Sequence, residues 1–320
     1  MDNFVKLAAI TILRSEFDVI ELFFRINSRV IDSFIVMDTL FHSPPELFNF
    51  LKVRDGIDIT IFTDYSDTLE DNSLIRKGLL SYLQNNHFDW VFLLSPDQFI
   101  NIDRNRIEEE LSKIPRNNVA SLNLSTWIPK NGKYEDCKNP LWSNFQKRNY
   151  EFYDRRKIIV PRDLVQGTIP SRIGNVLHPI LPDDSIMYSA GNVCKQHLLT
   201  CGTIDHVPVR SENQVLIDAI IGTTRLNTKP NRFSYEYPYL DSIAEMIIKY
   251  DFKVDDFLLR YLALTYSSNV LDENVRDDVH PTAKLGLETD CIKYGYIEDL
   301  NVLKFYHRMC YLITKKLKHK

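Results

Sequence analysis

Glycine is scarce in this chain, 10 residues in 320. None falls in a Gly-x-Gly-x-x-Gly run behind the first apolar segment, and there is no Gly-Lys-Ser/Thr loop. Both absences argue against a dinucleotide-binding Rossmann domain and a P-loop nucleotidase. A nucleotide bound here would be held by side chains and a metal, not by a glycine cradle. Cysteine is equally sparse: Cys137, Cys194, Cys201, Cys291 and Cys310 are odd in number and scattered. That is no secreted disulfide framework and points to a reducing compartment. No apolar run approaches the ~20 residues needed to cross a bilayer. The opening MDNFVKLAAITIL lacks a basic leader and a small-residue cleavage site, so it reads as a first strand and not as a signal peptide. A net charge of −4 gives no general attraction to nucleic acid, which is not expected as a partner. No internal repeat is evident.

What is present suits a globular α/β protein: 44% apolar residues, 12% of the chain aromatic, enough for a full core. The organising stretch is FDWVFLLSPDQFI, residues 88–100. Trp90 to Leu94 are five consecutive apolar residues, the length of a strand buried on both faces. Pro96 cannot donate to a ladder, so the chain leaves the sheet there. Asp97 is then the first acid past a strand end, where open α/β sheets bind their ligands. A plain turn carboxylate is the alternative.

Before that stretch, apolar strands are expected at 4–13, 33–37 and 58–62, alternating with helical spacing at 19–31, 46–53 and 71–85. This β-α-β-α-β-α-β order predicts a parallel sheet. Residues 102–114 read as a charged helix, 119–127 and 157–160 as strands, and 131–149 as a long loop over the sheet edge, while 161–182 carries no firm assignment. Ser211 with Gln214 forms a capping box for a helix to about 221. After Pro230 the pattern becomes helical, at 240–250, 254–266 and from about 297 onward. The expected division is a domain over 1–230 and a helical C-terminal region over 231–320.

These residues resemble family 2 glycosyltransferases of the GT-A fold, in particular a bacterial subgroup. The resemblance rests on Asp89-Trp90-Val91, Ser95-Pro96-Asp97-Gln98-Phe99, Gly191-Asn192-Val193 and His206-Val207-Pro208-Val209-Arg210-Ser211, with Arg14-Ser15-Glu16 and Asp38 at earlier strand ends. It covers about residues 4–225. It implies a GT-A domain, Rossmann-like with a mostly parallel central sheet between helices. It further implies inverting transfer of a sugar from a nucleotide-sugar donor, expected to be UDP-linked. The acceptor would be a glycan or lipid-linked glycan in bacterial surface polysaccharide synthesis, lipopolysaccharide or capsule. By the same resemblance Arg14, Glu16, Asp38, Arg76, Asp97 and Arg210 bind the nucleotide sugar. Asp97 and His206 hold Mg2+ or Mn2+, and Arg210 neutralises the leaving diphosphate. The acceptor hydroxyl needs a proton acceptor; Asp183, Asp184 and His178 lie in the right part of the chain, and Asp184 is the one chosen.

The motif is degenerate. Ser95 stands where the first Asp of a DXD would be, Gln98 where a Glu follows it, and Val193 where the family has His. One remaining carboxylate is a sparse oxygen set for a six-coordinate ion. The same losses suit a catalytically silent, binding-only domain. A third reading takes Cys194, His197, Cys201 and His206 as a Zn2+ site in an interaction protein. The basic tail at 306–320, with Lys315, Lys316, Lys318 and Lys320, suits peripheral contact with an anionic inner membrane from the cytoplasm, or a solvated helix end.

Overall fold

The computed structural model describes residues 5–13, 19–38, 45–63, 71–129, 145–148, 156–166, 186–189, 192–210, 212, 214–220, 243, 246–250, 255–264 and 275–277. The chain divides into two compact units, one of residues 1–126 with 151–206 and one of 127–150 with 207–320.

In the first unit the apolar runs form the expected strands. β1 (Leu7–Leu13), β2 (Ser33–Asp38), β3 (Asp58–Thr63) and β4 (Trp90–Leu93) alternate with α1 (Ile20–Asn27), α2 (Pro45–Asp55) and α3 (Asp71–Leu83). β1, β2 and β4 are buried along nearly their whole length, as strands covered on both faces must be. β3 alternates between exposed and buried positions. Among the described residues it pairs with β2 alone and forms one edge. The four run parallel in the order β3–β2–β1–β4. The α/β class expected from the sequence is the one observed. At the end of α2, Gly56 takes φ +64°, a left-handed turn that sends the chain into β3.

Beyond β4 the sheet becomes mixed. β5 (Gln98–Asn101) follows the turn at Pro96-Asp97, and α4 (Arg104–Ser112) follows β5. Asp103 caps α4, accepting from the backbone N–H of Asn105 and of Arg106 at 3.0 and 3.3 Å. β6 (Val119–Pro129) and β8 (Arg156–Pro161) come next, β8 lying antiparallel between β4 and β6. A five-residue helix, α5 (Arg162–Gln166), fills part of the stretch left unassigned in the sequence. The long strand β10 (Asn192–His206) runs parallel to β6 and antiparallel to β5, and β9 (Ile186–Ser189) pairs with its start.

β10 is interrupted. Its register against β6 shifts between Leu198 and Thr203, so several residues bulge out there. Glu110 of α4 holds the bulge, accepting from Thr200 N–H at 2.9 Å and from its hydroxyl at 3.2 Å. Gly202 sits beside β5, and a Cβ on it would lie 2.5 Å from the Asn101 carbonyl oxygen and against Ile102. A backbone oxygen cannot swing aside. Gly202→Ala should therefore lower stability by about 1–3 kcal/mol, read as a drop in the urea midpoint. Gly78 on α3 is a useful contrast. Its added Cβ meets the flexible Met37 sulfur, and replacing a helical Gly with Ala recovers about 1 kcal/mol, so Gly78→Ala should cost less.

In the second unit the 127–129 end of β6 pairs with β7 (Phe145–Arg148), which pairs with β11 (Val275–Asp277). Residues 145–148 are thus strand, not part of the expected loop. Four residues with a single apolar one, FQKR, carry no period that could stand out among polar neighbours. Helical residues 214–220, 243 and 246–249, and α6 (Asp256–Leu264), surround a core containing Val215, Leu216, Ile243, Ile247, Leu258 and Leu262. The expected helix from 297 onward lies outside the described residues.

Candidate functional site

The carboxyl edge of the parallel strands is where the sequence placed the chemistry. Register fixes what stands there. Leu13, the last residue of β1, is level with Asp38, the last of β2. On the other side of β1 the ladder to β4 ends at Ile10 with Leu93, and Leu94 N–H still donates to the Ile10 carbonyl at 3.1 Å. Ser95, Pro96 and Asp97 then carry the chain onward at the same rim. Asp38 ends β2 and Asp97 follows the end of β4, and these two strands lie on either side of β1, roughly 10 Å apart at two interstrand spacings. Asp38 is buried. The third expected acid, Glu16, lies outside the described residues, as do Arg14 and Asp184. Arg76 is on α3, and its side chain is outside what is described.

The turn that presents Asp97 is built by the residues on either side of it. Gln98 N–H donates to the Ser95 carbonyl at 3.0 Å, and Ser95 N–H donates to the Gln98 side-chain Oε1 at 2.9 Å. The two positions that depart from the family motif therefore close the turn on each other. Gln98 is fully buried. Its amide oxygen fixes the turn as an Asx-type acceptor does, at the reach of a longer side chain.

Across the sheet, His206 ends β10 between two strands, level with Gln98 of β5 and Thr126 of β6. Its Nε2 lies 3.1 Å from Asp97 Oδ2, although the two residues are 109 apart in sequence. The imidazole is 2% exposed and the carboxylate 16%. The ring is locked by its surroundings, while the acid keeps a path to solvent. With a proton on Nε2, the ring donates to the carboxylate. These are the two residues that the motif pairs as metal ligands.

The spacing and donor types of the pair bear on whether it suits Mg2+ or Mn2+. Two adjacent ligands at ~2.1 Å on an octahedral ion stand about 3.0 Å apart. The observed 3.1 Å fits that edge as well as it fits a direct hydrogen bond. Carboxylate oxygen suits either ion; an imidazole favours Mn2+ over Mg2+. Among the described residues no group of three or more His, Cys, Asp and Glu side chains is placed to hold an ion. The described residues thus offer two ligands here.

Arg210 belongs to the second unit and is buried, with Nη1 donating to the Val207 carbonyl at 2.9 Å. Its backbone N–H donates to Gln214 Oε1 at 3.1 Å, and the Gln214 amide donates in turn to Asp218. Gln214 does reach back to cap its helix, one residue earlier than the expected capping box requires.

The zinc reading is corrected by the strand it would occupy. His197 is level with Ala120 and His206 with Thr126. Six residues of β6 span roughly 20 Å, which no single ion bridges. His197 Nε2 instead lies 3.1 Å from Asn118 Nδ2. Burial, with Glu110 beside it, pushes the Cys201 thiol up to about 11, away from the thiolate that zinc requires.

One residue of this region gave no signal in the sequence. Asn27, at the end of α1, bonds twice to the backbone of β5, to Gln98 and to Ile100. A polar residue closing an amphipathic helix reads as solvent-facing.

No protein-family profile and no curated protein sequence matches the chain. Among solved structures it is similar to the inositol-1-phosphate CTP transferase from T. maritima, at 6% identity over 67% of this chain and 93% of that one, with a TM-score of 0.38. It is similar to GalNAc-T7 crystallised with UDP, GalNAc and Mn2+, at 11% identity over 77% and 55%, with a TM-score of 0.42. It is also similar to residues 1–349 of S. aureus TarS, at 10% identity over 83% and 92%, with a TM-score of 0.35. Likeness at this level carries no argument about activity.

Proposed function

We propose that the chain is a glycosyltransferase that moves a sugar from a UDP-linked donor to a glycan or lipid-linked acceptor, inverting the anomeric carbon, in bacterial surface polysaccharide synthesis. One observation supports this reading above the others: the Asp97 carboxylate meets His206 at the carboxyl rim of the sheet, across 109 residues of sequence.

In this reading Asp97 and His206 hold Mg2+ or Mn2+ together with the donor diphosphate. The ion, when bound, offsets the negative charge that grows on the leaving diphosphate. With two ligands among the described residues, metal affinity would be weak without the phosphate oxygens of a bound nucleotide. Asp38, at the end of β2, accepts hydrogen bonds from the ribose or base, and Arg14, Glu16 and Arg76 complete the donor site. Asp184 takes the acceptor hydroxyl proton as the new C1–O bond forms and the bond from C1 to the diphosphate oxygen breaks. The work is cytoplasmic, with the basic 306–320 tail against the inner membrane.

A binding-only module is the second reading, and the turn itself favours it. Gln98 Oε1 is held by Ser95 N–H, so the turn carries no second carboxylate. A panel of nucleotide sugars separates the two. Hydrolysis or transfer with one donor, and UDP binding that tightens with Mn2+, is expected. UDP binding without turnover on any donor leaves the silent module standing. Neither turnover nor diphosphate binding discards both.

A further inference from the structure

β5 is an edge strand. It pairs with β10 along one side, and among the described residues no strand lies along the other. Asn27 takes that place. Its Nδ2 donates to the Gln98 carbonyl at 3.0 Å, and its Oδ1 accepts from Ile100 N–H at 2.8 Å. A primary amide offers the same donor and acceptor as a peptide unit, and using both arms fixes which way it is turned. Asn27 is fully buried, so water does not compete for either bond. Its own carbonyl accepts from Val30 N–H at 3.0 Å and Ile31 N–H at 2.8 Å, on the way into β2. One side chain and one carbonyl therefore tie the end of α1, the approach to β2 and the strand that follows Asp97.

The residue Asn27 holds is the neighbour of Asp97 and stands level with His206. From this geometry we infer that Asn27 is a positioning residue: by fixing the β5 backbone at Gln98 and Ile100, it sets the Asp97 carboxylate against the His206 ring. Its bearing on catalysis rests on the glycosyltransferase reading. The placement of the pair does not, and the test reads the pair without donor or metal.

Asn27→Asp keeps the volume and the acceptor for Ile100 but turns the donor into a second acceptor facing the Gln98 carbonyl. Asn27→Ser removes both arms without burying a charge and serves if the first variant does not fold. In 15N-labelled full-length protein at fixed pH, the His206 Nε2 resonance is identified by its loss in His206→Gln. Asp97→Ala gives the position of a ring that has lost its carboxylate partner. In both Asn27 variants this resonance should move at least halfway toward that position, and in Asn27→Ser, which removes the acceptor as well, the Ile100 amide should exchange roughly five to ten times faster, the factor one ordinary hydrogen bond carries. Faster exchange at Ile100 with the His206 resonance unmoved would make Asn27 a purely structural clamp and overturn the inference. No change at either atom would overturn it as well. Failure of every donor assay would count against the glycosyltransferase reading and leave this result as it stands.

Discussion

Asp97→Asn should lower donor turnover by about 10²–10³-fold, the range seen when one preorganised electrostatic group is removed from a developing charge. The variant keeps the shape of the side chain and a carbonyl oxygen within reach of His206 Nε2, so the 3.1 Å contact can survive as a neutral hydrogen bond. The change in unfolding free energy should stay within about 1 kcal/mol, and the urea midpoint reports it. Activity and stability are thereby separated at one atom pair. The loss should fall on kcat and kcat/KM together, because the charge being stabilised is fully present only in the transition state. A variant that turns over at the wild-type rate would mean that the leaving group is bound elsewhere, and the Asp97–His206 pair would then be a structural bond. A variant that loses activity only because it unfolds would show a collapsed midpoint, which the isosteric change is chosen to avoid.

The strands that position this pair were legible because they are buried on both faces. FVKLAAITIL, SFIVM and WVFLL are largely apolar runs with polar breaks, and their ends fall within a residue of the observed ones except at the start of the first, expected at Phe4 and observed at Leu7. β5 was not legible as a strand. QFIN is four residues long and follows a proline turn, too short for any period to show. β10 hid for another reason: the bulge between Leu198 and Thr203 breaks the alternation that would have marked a 15-residue strand. The contact of Asp97 with His206 was anticipated only through the motif, since sequence spacing says nothing about two residues brought together by an antiparallel pairing. Gln98 was read as a missing carboxylate; in the structure it is the clasp of the turn. The clasp gave no signal because the loss of a charge is visible in a sequence, while a side chain folding back onto a backbone N–H is not.

The largest stability effect is expected at Phe24, a residue outside the apolar stripe that marks α1 in the sequence. The stripe is drawn through Val19, Leu22, Phe23, Ile26 and Val30, but α1 buries Ile20, Glu21, Phe24 and Asn27 as well. It is covered on more than one side. Phe24 is the hub: its ring packs edge-on against Phe23 at 5.2 Å, Phe34 of β2 at 5.1 Å and Phe48 of α2 at 5.9 Å between centroids. Glu21 is buried too, held by Arg25 at 2.8 Å, and Arg25 reaches on to Asp55 of α2 at 3.4 Å. A helix so enclosed loses its one-sided pattern, which is why periodicity undercounts its core. Phe24→Ala removes a whole ring from a fully buried position, and the expected loss is about 3–5 kcal/mol. Phe24→Leu keeps most of the volume and should cost about 1.5 kcal/mol or less, plus the part of the edge-on ring contacts that is specific to aromatics. The ordering of the two urea midpoints checks the argument. Equal and small losses would mean that α2 does not cover this face of α1 in solution. Because Asn27 lies three residues along the same helix, Phe24→Leu also offers a control for the Asp97–His206 pair. It should lower stability while leaving the His206 Nε2 resonance where it is in the wild type, since Phe24 packs the helix without touching β5's backbone through a hydrogen bond.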